Sequence, residues 1–251
     1  MSTPVPGPET LEVPTPHGPG RLTLHRAVDG GERTDDRADD RTGGAAGPAR
    51  VATLLLSHGA GAGTDTHDLR ALAERLPAAG VEVALLDQPW RVAGRRLATA
   101  PPTLDDGLRA AAALLAGRPL LVGGRSAGAR SAARCARDLG AAGCLALAFP
   151  LHPPGRPERS RLTELLGAGV PTLVCQGERD ASGRPEELRP DLPPSGVELV
   201  VVPDADHGLH VPKRSPLGPE GVADLLVSHV ASWVRRVVGA AGTPGTPGTP
   251  R

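Results

Sequence analysis

The sequence predicts an α/β fold, in which a mostly parallel sheet is covered by helices on both faces. Short apolar runs, such as residues 51–56 and 81–86, are typical of strands buried on both sides. Between these runs, Leu69, Leu72 and Leu76 recur at the spacing of a helix that buries one face. Strands and helices alternate along the chain, and right-handed crossovers between successive strands then build a single parallel sheet.

The other predicted elements continue this alternation. They are a helix at 108–116, a strand at 120–122, a helix at 127–139, strands at 144–149, 172–175 and 197–202, and an amphipathic closing helix at 219–238. Ahead of the first parallel strand, residues 10–13 and 21–26 are predicted to form two antiparallel edge strands. The turn-forming sequence between them contains Pro14, Pro16 and Gly18.

Composition divides the chain into three parts. Residues 1–50 hold the two edge strands and a flexible acidic loop, in which mixed charges at 29–50 indicate a solvated surface segment. Residues 51–238 form the predicted catalytic domain. Residues 239–251 are a Gly-Thr-Pro tract with no apolar face to bury, so we expect a disordered tail.

Charge and cysteine content exclude several classes of protein. The 28 basic residues balance the 28 acidic ones, so the chain lacks the positive surplus that nucleic-acid binding requires. Three cysteines without metal-like spacing, and an N-terminus that does not resemble a signal peptide, favour a reducing compartment. No apolar run approaches the ~18 residues of a membrane span. We therefore expect a soluble, cytoplasmic protein; its oligomeric state is not predicted.

The strand at 120–122 leads into a Gly-x-Ser-x-Gly motif formed by Gly124, Ser126 and Gly128. A serine at a sharp strand-to-helix turn adopts strained backbone geometry, and flanking glycines let strand and helix approach closely. The turn presents the Ser126 hydroxyl above the sheet. It also places the Ala127 N–H at a helix N-terminus, where it stabilises negative charge.

A second loop, rich in glycine, follows the first parallel strand at residues 58–63. Its backbone N–H groups suit the second donor of an oxyanion hole, with Ala60 preferred and Gly61 as the other candidate. A phosphate-binding loop is the competing interpretation. It is disfavoured because the segment lacks the Gly-Lys-Ser/Thr ending of such loops.

Two later strands are followed by an acid and a base. Asp180 comes after the strand at 172–175, and His207 comes after the strand at 197–202. The order Ser126, Asp180, His207 is that of the α/β-hydrolase triad. In such a triad the imidazole takes the serine proton and the carboxylate orients the imidazole.

Several neighbours compete for these roles. Glu178, Asp204 and Asp206 are alternatives to Asp180, with capping or salt-bridge roles as the ordinary interpretation of the three. His210 competes with His207. The pair suggests a metal site only weakly, since no third ligand occurs at suitable spacing.

These motifs make the sequence resemble an α/β hydrolase of the dienelactone-hydrolase-like kind. More narrowly, it is similar to small bacterial hydrolases related to the hydrolase-like domain of an NSL histone-acetyltransferase-complex subunit. The resemblance covers roughly residues 51–238 and is carried by the segments 57–61, 88–96, 123–128, 149–155 and 205–208. It implies Ser126 as nucleophile, Asp180 as acid and His207 as base. The mechanism that these residues predict requires no metal or organic cofactor.

Five residues are candidates for the pocket: His58, Gly61, Trp90, Arg125 and His152. His58 is expected to brace the oxyanion loop, and Trp90 to wall the pocket or simply to pack. Arg125 either contacts an anionic substrate or forms a surface ion pair, the latter being favoured. His152 is left open between the pocket mouth and an exposed loop. Only about a dozen residues follow the strand at 144–149 before Leu162, so we expect no large cap domain.

The predicted function is hydrolysis of a small-molecule carboxylic ester or thioester through an acyl-enzyme on Ser126. Cofactor-free perhydrolase chemistry uses the same triad, so motif spacing cannot separate it from esterase activity. A non-catalytic binding or scaffold protein of the same fold is the alternative from another class. The complete triad argues against it.

Overall fold

The computed structural model describes residues 7–27, 51–96, 99–115, 117–189, 192 and 196–241. The predicted acidic loop at 29–50 and the tail beyond Ala241 lie outside these residues. None of the helices in the described part of the chain is long and apolar enough to cross a membrane.

One eight-stranded sheet forms the centre of the described part of the chain, as the alternating pattern predicts. Its strands are β1 (Glu9–Val13), β2 (Gly20–His25), β3 (Ala52–Ser57), β4 (Val81–Asp87), β5 (Leu120–Arg125), β6 (Gly143–Leu147), β7 (Thr172–Gly177) and β8 (Val197–Val202). They lie in the order β1-β2-β4-β3-β5-β6-β7-β8. Strand β2 pairs antiparallel with both β1 and β4, and all other pairs are parallel. The carboxyl ends of β3 to β8 therefore share one edge.

Helices cover both faces of this sheet. They are α1 (His67–Arg75), α2 (Pro89–Val92), α3 (Pro101–Ala113), α4 (Ala127–Cys135), α5 (Leu162–Leu166), α6 (Pro185–Leu188) and α7 (Gly218–Ala241), with a 3-10 turn at Leu76–Ala79 after α1. Two apolar clusters follow from the alternation of strand side chains. Leu55 and Val122 pack with α3 and α4 on one face, whereas Leu54 and Leu121 pack with α1 and α7 on the other.

Several element boundaries differ from the sequence prediction. Helix α3 begins at Pro101 rather than at residue 108, because prolines in the first turn lack only N–H groups that have no intrahelical partner. Strand β6 ends at Leu147 because Ala148 has φ of +45°, which interrupts the ladder. Helix α7 extends to Ala241, past the predicted start of the tail.

The expectation of no cap domain is confirmed. Residues 148–161, between β6 and α5, contain only turns and bends. They lie against the neighbouring loop, since the His152 N–H donates to the Ser182 carbonyl at 2.9 Å. The carboxyl edge of the sheet is thus left without a covering domain in the described part of the chain.

Candidate active site

Ser126 occupies a strained turn between β5 and α4. Its φ and ψ are 52° and −111°, a conformation that non-glycine residues rarely adopt. The turn is held because the Ser126 N–H donates to the Leu147 carbonyl at 2.9 Å. A Cβ on Gly128 would collide with the Ser57 carbonyl oxygen and lie 2.8 Å from that of His58. Glycine is therefore what allows α4 to begin directly against the end of β3.

Side chains from the ends of three strands meet beside this turn. The Ser126 Oγ lies 3.0 Å from His207 Nε2. On the other side of the ring, His207 Nδ1 lies 2.8 Å from Asp180 Oδ2 and 3.0 Å from Oδ1. Asp180 is fully buried, whereas the His207 side chain is one-third exposed. The structure thus places the three residues in one continuous hydrogen-bonded row, with its serine end toward the open edge.

Backbone contacts bring the acid and base loops together. The Glu178 N–H donates to the Val202 carbonyl at 3.0 Å, and the Arg179 N–H donates to the Ala205 carbonyl at 2.8 Å. Gly177 makes this approach feasible, since a Cβ there would lie 2.5 Å from the Asp206 carbonyl oxygen. Register between β7 and β8 therefore fixes the separation of Asp180 and His207.

The competing residues have other partners. Asp206 accepts hydrogen bonds from the N–H groups of Gly208 and His210 at 2.7 and 3.0 Å, which closes the turn around His207. Glu178 accepts the Asp204 N–H at 2.7 Å, and Asp204 accepts the Ser215 hydroxyl at 2.9 Å. These carboxylates organise the loops, and His207 contacts Asp180.

The loop after β3 lies against the nucleophile turn. A Cβ on Gly59 would be 3.3 Å from the Ser126 Cβ, whereas one on Gly61 would meet nothing within 4 Å. The N–H groups of Ala60, Gly61 and Ala127 have no hydrogen-bond partner in the described part of the chain. For Ala127 this follows from its position as the first residue of α4. Unpaired donors are thus available both in this loop and at the start of α4.

His58 is buried beneath this loop and braces it. Its Nε2 accepts the Gln88 N–H at 3.1 Å, so its Nδ1 carries the proton and donates to the Gly59 carbonyl at 2.7 Å. Burial lowers the pKa of His58, which favours the neutral ring that these two hydrogen bonds require. The ring also packs edge-on against Trp90. The geometry agrees with a bracing role, since the ring is fully buried.

Arg125 corrects one expectation. The sequence favours a surface ion pair for its guanidinium, but it lies 3.3 Å from the Asp68 carboxylate with only 12% of its side chain exposed and Asp68 completely buried. It also donates to the His207 carbonyl at 3.3 Å. Because α1 begins beside the active-site edge, its second residue is well placed to pair with the residue before the nucleophile. The ion pair joins β5 to α1, and the hydrogen bond joins β5 to residues 203–210, the loop that carries His207 and is called the histidine loop below.

The two remaining pocket candidates differ in their surroundings. Trp90 is almost fully buried and, with residues of α2, α3 and the β1–β2 turn, lines a cavity of about 240 Å³. His152 is also buried, and its Nε2 lies 2.9 Å from Glu187 of α6. The interpretation of His152 as an exposed loop residue is therefore wrong. Among the described residues, no group of three or more His, Cys, Asp or Glu is arranged to hold a metal.

The sequence from residue 50 to residue 235 matches the family model of the alpha/beta hydrolase domain. This chain belongs to the α/β-hydrolase family. The match spans the parallel strands and every residue of the hydrogen-bonded row. No curated protein matches the chain.

Solved structures show the same α/β-hydrolase fold at low sequence identity. An alpha-beta serine hydrolase homologue from Coxiella burnetii aligns with a TM-score of 0.65 and 16% identity, over 91% of this chain and 100% of its own. A serine hydrolase without a lid from Xanthomonas campestris aligns with a TM-score of 0.61 and 18% identity, over 97% of each chain. A dienelactone hydrolase from Anabaena variabilis aligns with a TM-score of 0.63 and 18% identity, over 92% of this chain and 98% of its own. The resemblance to α/β hydrolases is confirmed, and the dienelactone hydrolase shares the fold.

Sequence reasoning missed three buried polar residues of this α/β hydrolase. Gln176 and Gln88, both fully buried, contact the acid loop and the oxyanion loop respectively, and Asp68 pairs with Arg125. No sequence signal marked Asp68, the second residue of α1. For Gln88 and Gln176 the signal was a polar residue at or just after the carboxyl end of a mostly apolar strand. Such a residue is costly to bury unless it has partners, so it indicates a site that needs them.

Proposed function

We propose that this chain is a serine hydrolase that cleaves carboxylic ester or thioester bonds through an acyl-enzyme on Ser126. The observation that carries the proposal is the row Ser126–His207–Asp180, with separations of 3.0 and 2.8 Å. Both distances lie within the range required for proton transfer between a nucleophile and its base. The sequence motifs and the family membership support the same conclusion.

Each member of the row has a defined task in this mechanism. The Asp180 carboxylate accepts the Nδ1–H of His207, which leaves Nε2 free to take the Ser126 proton. The Ser126 oxygen then attacks the acyl carbon, and the tetrahedral intermediate collapses as His207 returns the proton to the departing alcohol or thiol. Water repeats the sequence on the acyl-enzyme, with His207 taking its proton, and releases the acid and the free Ser126.

The negative charge of each tetrahedral intermediate is assigned to two N–H groups. Ala127 begins α4 directly after Ser126, and Ala60 follows Gly59 in the loop that lies against the Ser126 turn. Neither N–H has a partner within the described residues. A preorganised donor of this kind contributes about 3–4 kcal/mol to stabilisation of the transition state. Protein donors that need no reorganisation suit this task better than solvent.

Related structures support the ester class. One similar structure, at a TM-score of 0.63, is Est1E from Butyrivibrio proteoclasticus with ferulic acid bound, and another is the esterase domain of a Rhodothermus marinus protein. These are properties of those proteins. For this chain, residues 148–161 form no cap domain. An uncovered site favours small or extended acyl groups.

A fluorophosphonate probe tests the proposal directly. We expect Ser126→Ala and His207→Gln to abolish labelling and to lower kcat/KM on p-nitrophenyl esters by about 10⁴-fold or more. Ser131→Ala is the matched control, since Ser131 is a buried serine of α4 that donates to Asp105 away from the row. Esters and thioesters of increasing acyl length would then define the substrate. A folded wild-type chain that neither labels nor turns over any of them would contradict the proposal and favour a scaffold protein.

A further inference from the structure

Gln176, the penultimate residue of β7, lies directly behind the acid of the row. The residue is completely buried. Its Oε1 accepts the Phe149 N–H at 2.9 Å. Its Nε2 lies 2.9 Å from Asp180 Oδ2, 2.8 Å from the Gly183 carbonyl and 3.1 Å from the Phe149 carbonyl. One side chain thus joins the segment after β6 to the loop that carries Asp180.

These contacts fix which way the amide points. The oxygen faces an N–H donor, while the nitrogen faces two carbonyls and a carboxylate, all of which are acceptors. Rotation of the amide by half a turn would place its oxygen against three acceptors and its nitrogen against a donor. Only one orientation is therefore compatible with the surroundings, and in it an N–H donates to Asp180.

The Asp180 carboxylate is held by two donors besides His207. Its Oδ1 accepts the Ser182 N–H at 2.7 Å, and its Oδ2 accepts from Gln176 at 2.9 Å. The Ser182 donor belongs to the same loop as Asp180. Gln176 is the donor that ties the carboxylate to the sheet, because it is part of β7.

We propose that Gln176 is a positioning residue for the reaction, which holds Asp180 against His207 and limits how strongly the carboxylate attracts the imidazolium proton. The inference rests on the proposed function. A hydrogen bond donated to a carboxylate stabilises its charged form and makes it less basic. Without that bond, Asp180 would stabilise imidazolium more strongly, so His207 would remain protonated, and unable to act as a base, up to a higher pH.

Among the described residues, the other charged groups around His207 make no hydrogen bond to the Gln176 side chain, whose partners are Phe149, Asp180 and Gly183. Arg125 of β5 contacts the His207 carbonyl. Asp206 and His210 belong to the histidine loop itself, and Arg179 is held by the Asp204 carbonyl. A shift in titration after substitution of Gln176 therefore reports on the Asp180 contact.

The test compares Gln176→Met with the wild-type chain. Methionine has a similar length and no donor, so we expect kcat/KM to fall by roughly 10- to 100-fold. The acid limb of its pH profile should move to higher pH by about half a unit or more. Gln176→Glu gives a second arm. The new carboxyl group would face three acceptors, and it can donate a hydrogen bond to them only while it is protonated. We therefore expect the activity of this variant to fall further at pH values at which its new carboxyl group ionises.

Gln88→Met is the matched control. Gln88 is equally buried and follows β4, but its side-chain amide donates to Ser57 Oγ and the Leu104 carbonyl, and not to the row. Its substitution is expected to leave the acid limb where it lies in the wild type. Circular dichroism and thermal unfolding establish that each variant is folded.

A second readout separates this inference from the proposed function. The pH midpoint of the His207 ring, followed by NMR and assigned from the spectrum of His207→Gln, is measurable whether or not the chain is active. We expect the midpoint to move upward in Gln176→Met. If it stays in place in a folded variant, the inference is overturned even if the wild type is an active hydrolase. If it moves while the wild type neither labels nor turns over substrate, the proposed function fails and the positioning contact stands.

Discussion

Backbone strain concentrates around Ser126 and His207. Among the described residues, four that are not glycine have positive φ: Ser126, Ala148, Asp204 and Leu209. Asp204 and Leu209 flank His207 within its loop, and Ala148 precedes the Phe149 amide that Gln176 binds. Each such residue costs on the order of 1–3 kcal/mol and persists only where surrounding contacts enforce it. The strain therefore lies where side chains must be aimed at one another, which supports the assignment of this edge as the site.

A prediction at this scale concerns Gly128 in the first turn of α4. In Gly128→Ala the new Cβ would meet the Ser57 and His58 carbonyl oxygens, and neither backbone atom can move without distorting β3 or the oxyanion loop. We expect a loss of about 1–3 kcal/mol in the free energy of unfolding, together with loss of probe labelling. Urea denaturation and fluorophosphonate labelling measure the two effects.

Gly239→Ala is the control for this change. Gly239 is also helical, near the end of α7, and a Cβ there would meet nothing within 4 Å. Alanine in an open helical position is expected to stabilise slightly. Equal stability losses in the two variants would show that close approach at Gly128 is not what requires glycine.

At the scale of the element, the short helix α6 contacts the loop after β6 through an ion pair. His152 Nε2 lies 2.9 Å from Glu187 Oε2. Its hydrogen bond to the Pro153 carbonyl and the nearby Glu187 raise the pKa of His152. The hydrogen bond from the Arg184 N–H is the main contact that lowers the pKa of Glu187, and the contact with His152 lowers it further. A helix of four residues has little stability of its own, so this contact contributes to its placement.

These pKa shifts predict how the pair depends on pH. The raised pKa of His152 gives stability that is present below its ordinary value of 6.5 and is lost as pH rises through the raised value. The lowered pKa of Glu187 gives stability that is present above 4.5 and is lost as pH falls through the lowered value. Stabilisation by the pair is therefore greatest between about pH 4.5 and 6.5.

Glu187→Gln tests this dependence. Glutamine can still accept the Arg184 N–H that caps α6, but it cannot pair electrostatically with His152. Because Glu187 is partly exposed, we expect a loss below about 1 kcal/mol, larger at pH 5.5 than at pH 8.5 in urea denaturation. Glu186→Gln, one residue earlier and exposed, should show no such difference. A loss of equal size at both pH values would contradict the expected pH dependence of the pair.

The elements found from sequence and those missed differ in length and in the range of their contacts. Strands β3 and β8 are mostly apolar over their six residues, and their sequence-predicted bounds agree with the structure to within one residue. Helices α2, α5 and α6, of four or five residues, are too short for helical periodicity to reveal.

The residues of the candidate site likewise divide into those that the sequence predicts and those whose contacts it does not predict. Ser126, Asp180 and His207 each follow a strand, so parallel topology alone predicts that they share an edge. The pairing of Arg125 with Asp68 and of Gln176 with Asp180 depends on side-chain directions across separate elements, which composition and spacing do not specify.

For the whole molecule, the antiparallel β1–β2 hairpin is part of the same sheet as the parallel strands. Strand β2 pairs with β4 from Arg21 to His25, and Leu22 and Leu24 are buried against the core. Arg21 also contacts Asp87 at 2.6 Å. Asp87 in turn accepts hydrogen bonds from the N–H and hydroxyl of Thr64 at 3.2 and 3.0 Å. The hairpin thus supports the loop after β3, which carries Ala60, one of the two proposed oxyanion donors.

A chain that begins at residue 51 is therefore expected to fail both as a folded protein and as an enzyme. Removal of the hairpin leaves β4 with an unpaired edge, which promotes association between chains. It also forfeits the burial of Val13, Leu22 and Leu24, at about 1.5–3 kcal/mol each. Size-exclusion chromatography, thermal unfolding and fluorophosphonate labelling should show aggregation and no labelling.

Arg21→Ala in the full chain isolates the loop contribution: because Arg21 is half-exposed, stability should fall by less than about 1 kcal/mol while the labelling rate decreases. A chain lacking residues 242–251 controls for truncation as such, and should label at the wild-type rate. A monomeric chain from residue 51 with wild-type labelling would show instead that the parallel strands and their loops fold without the hairpin.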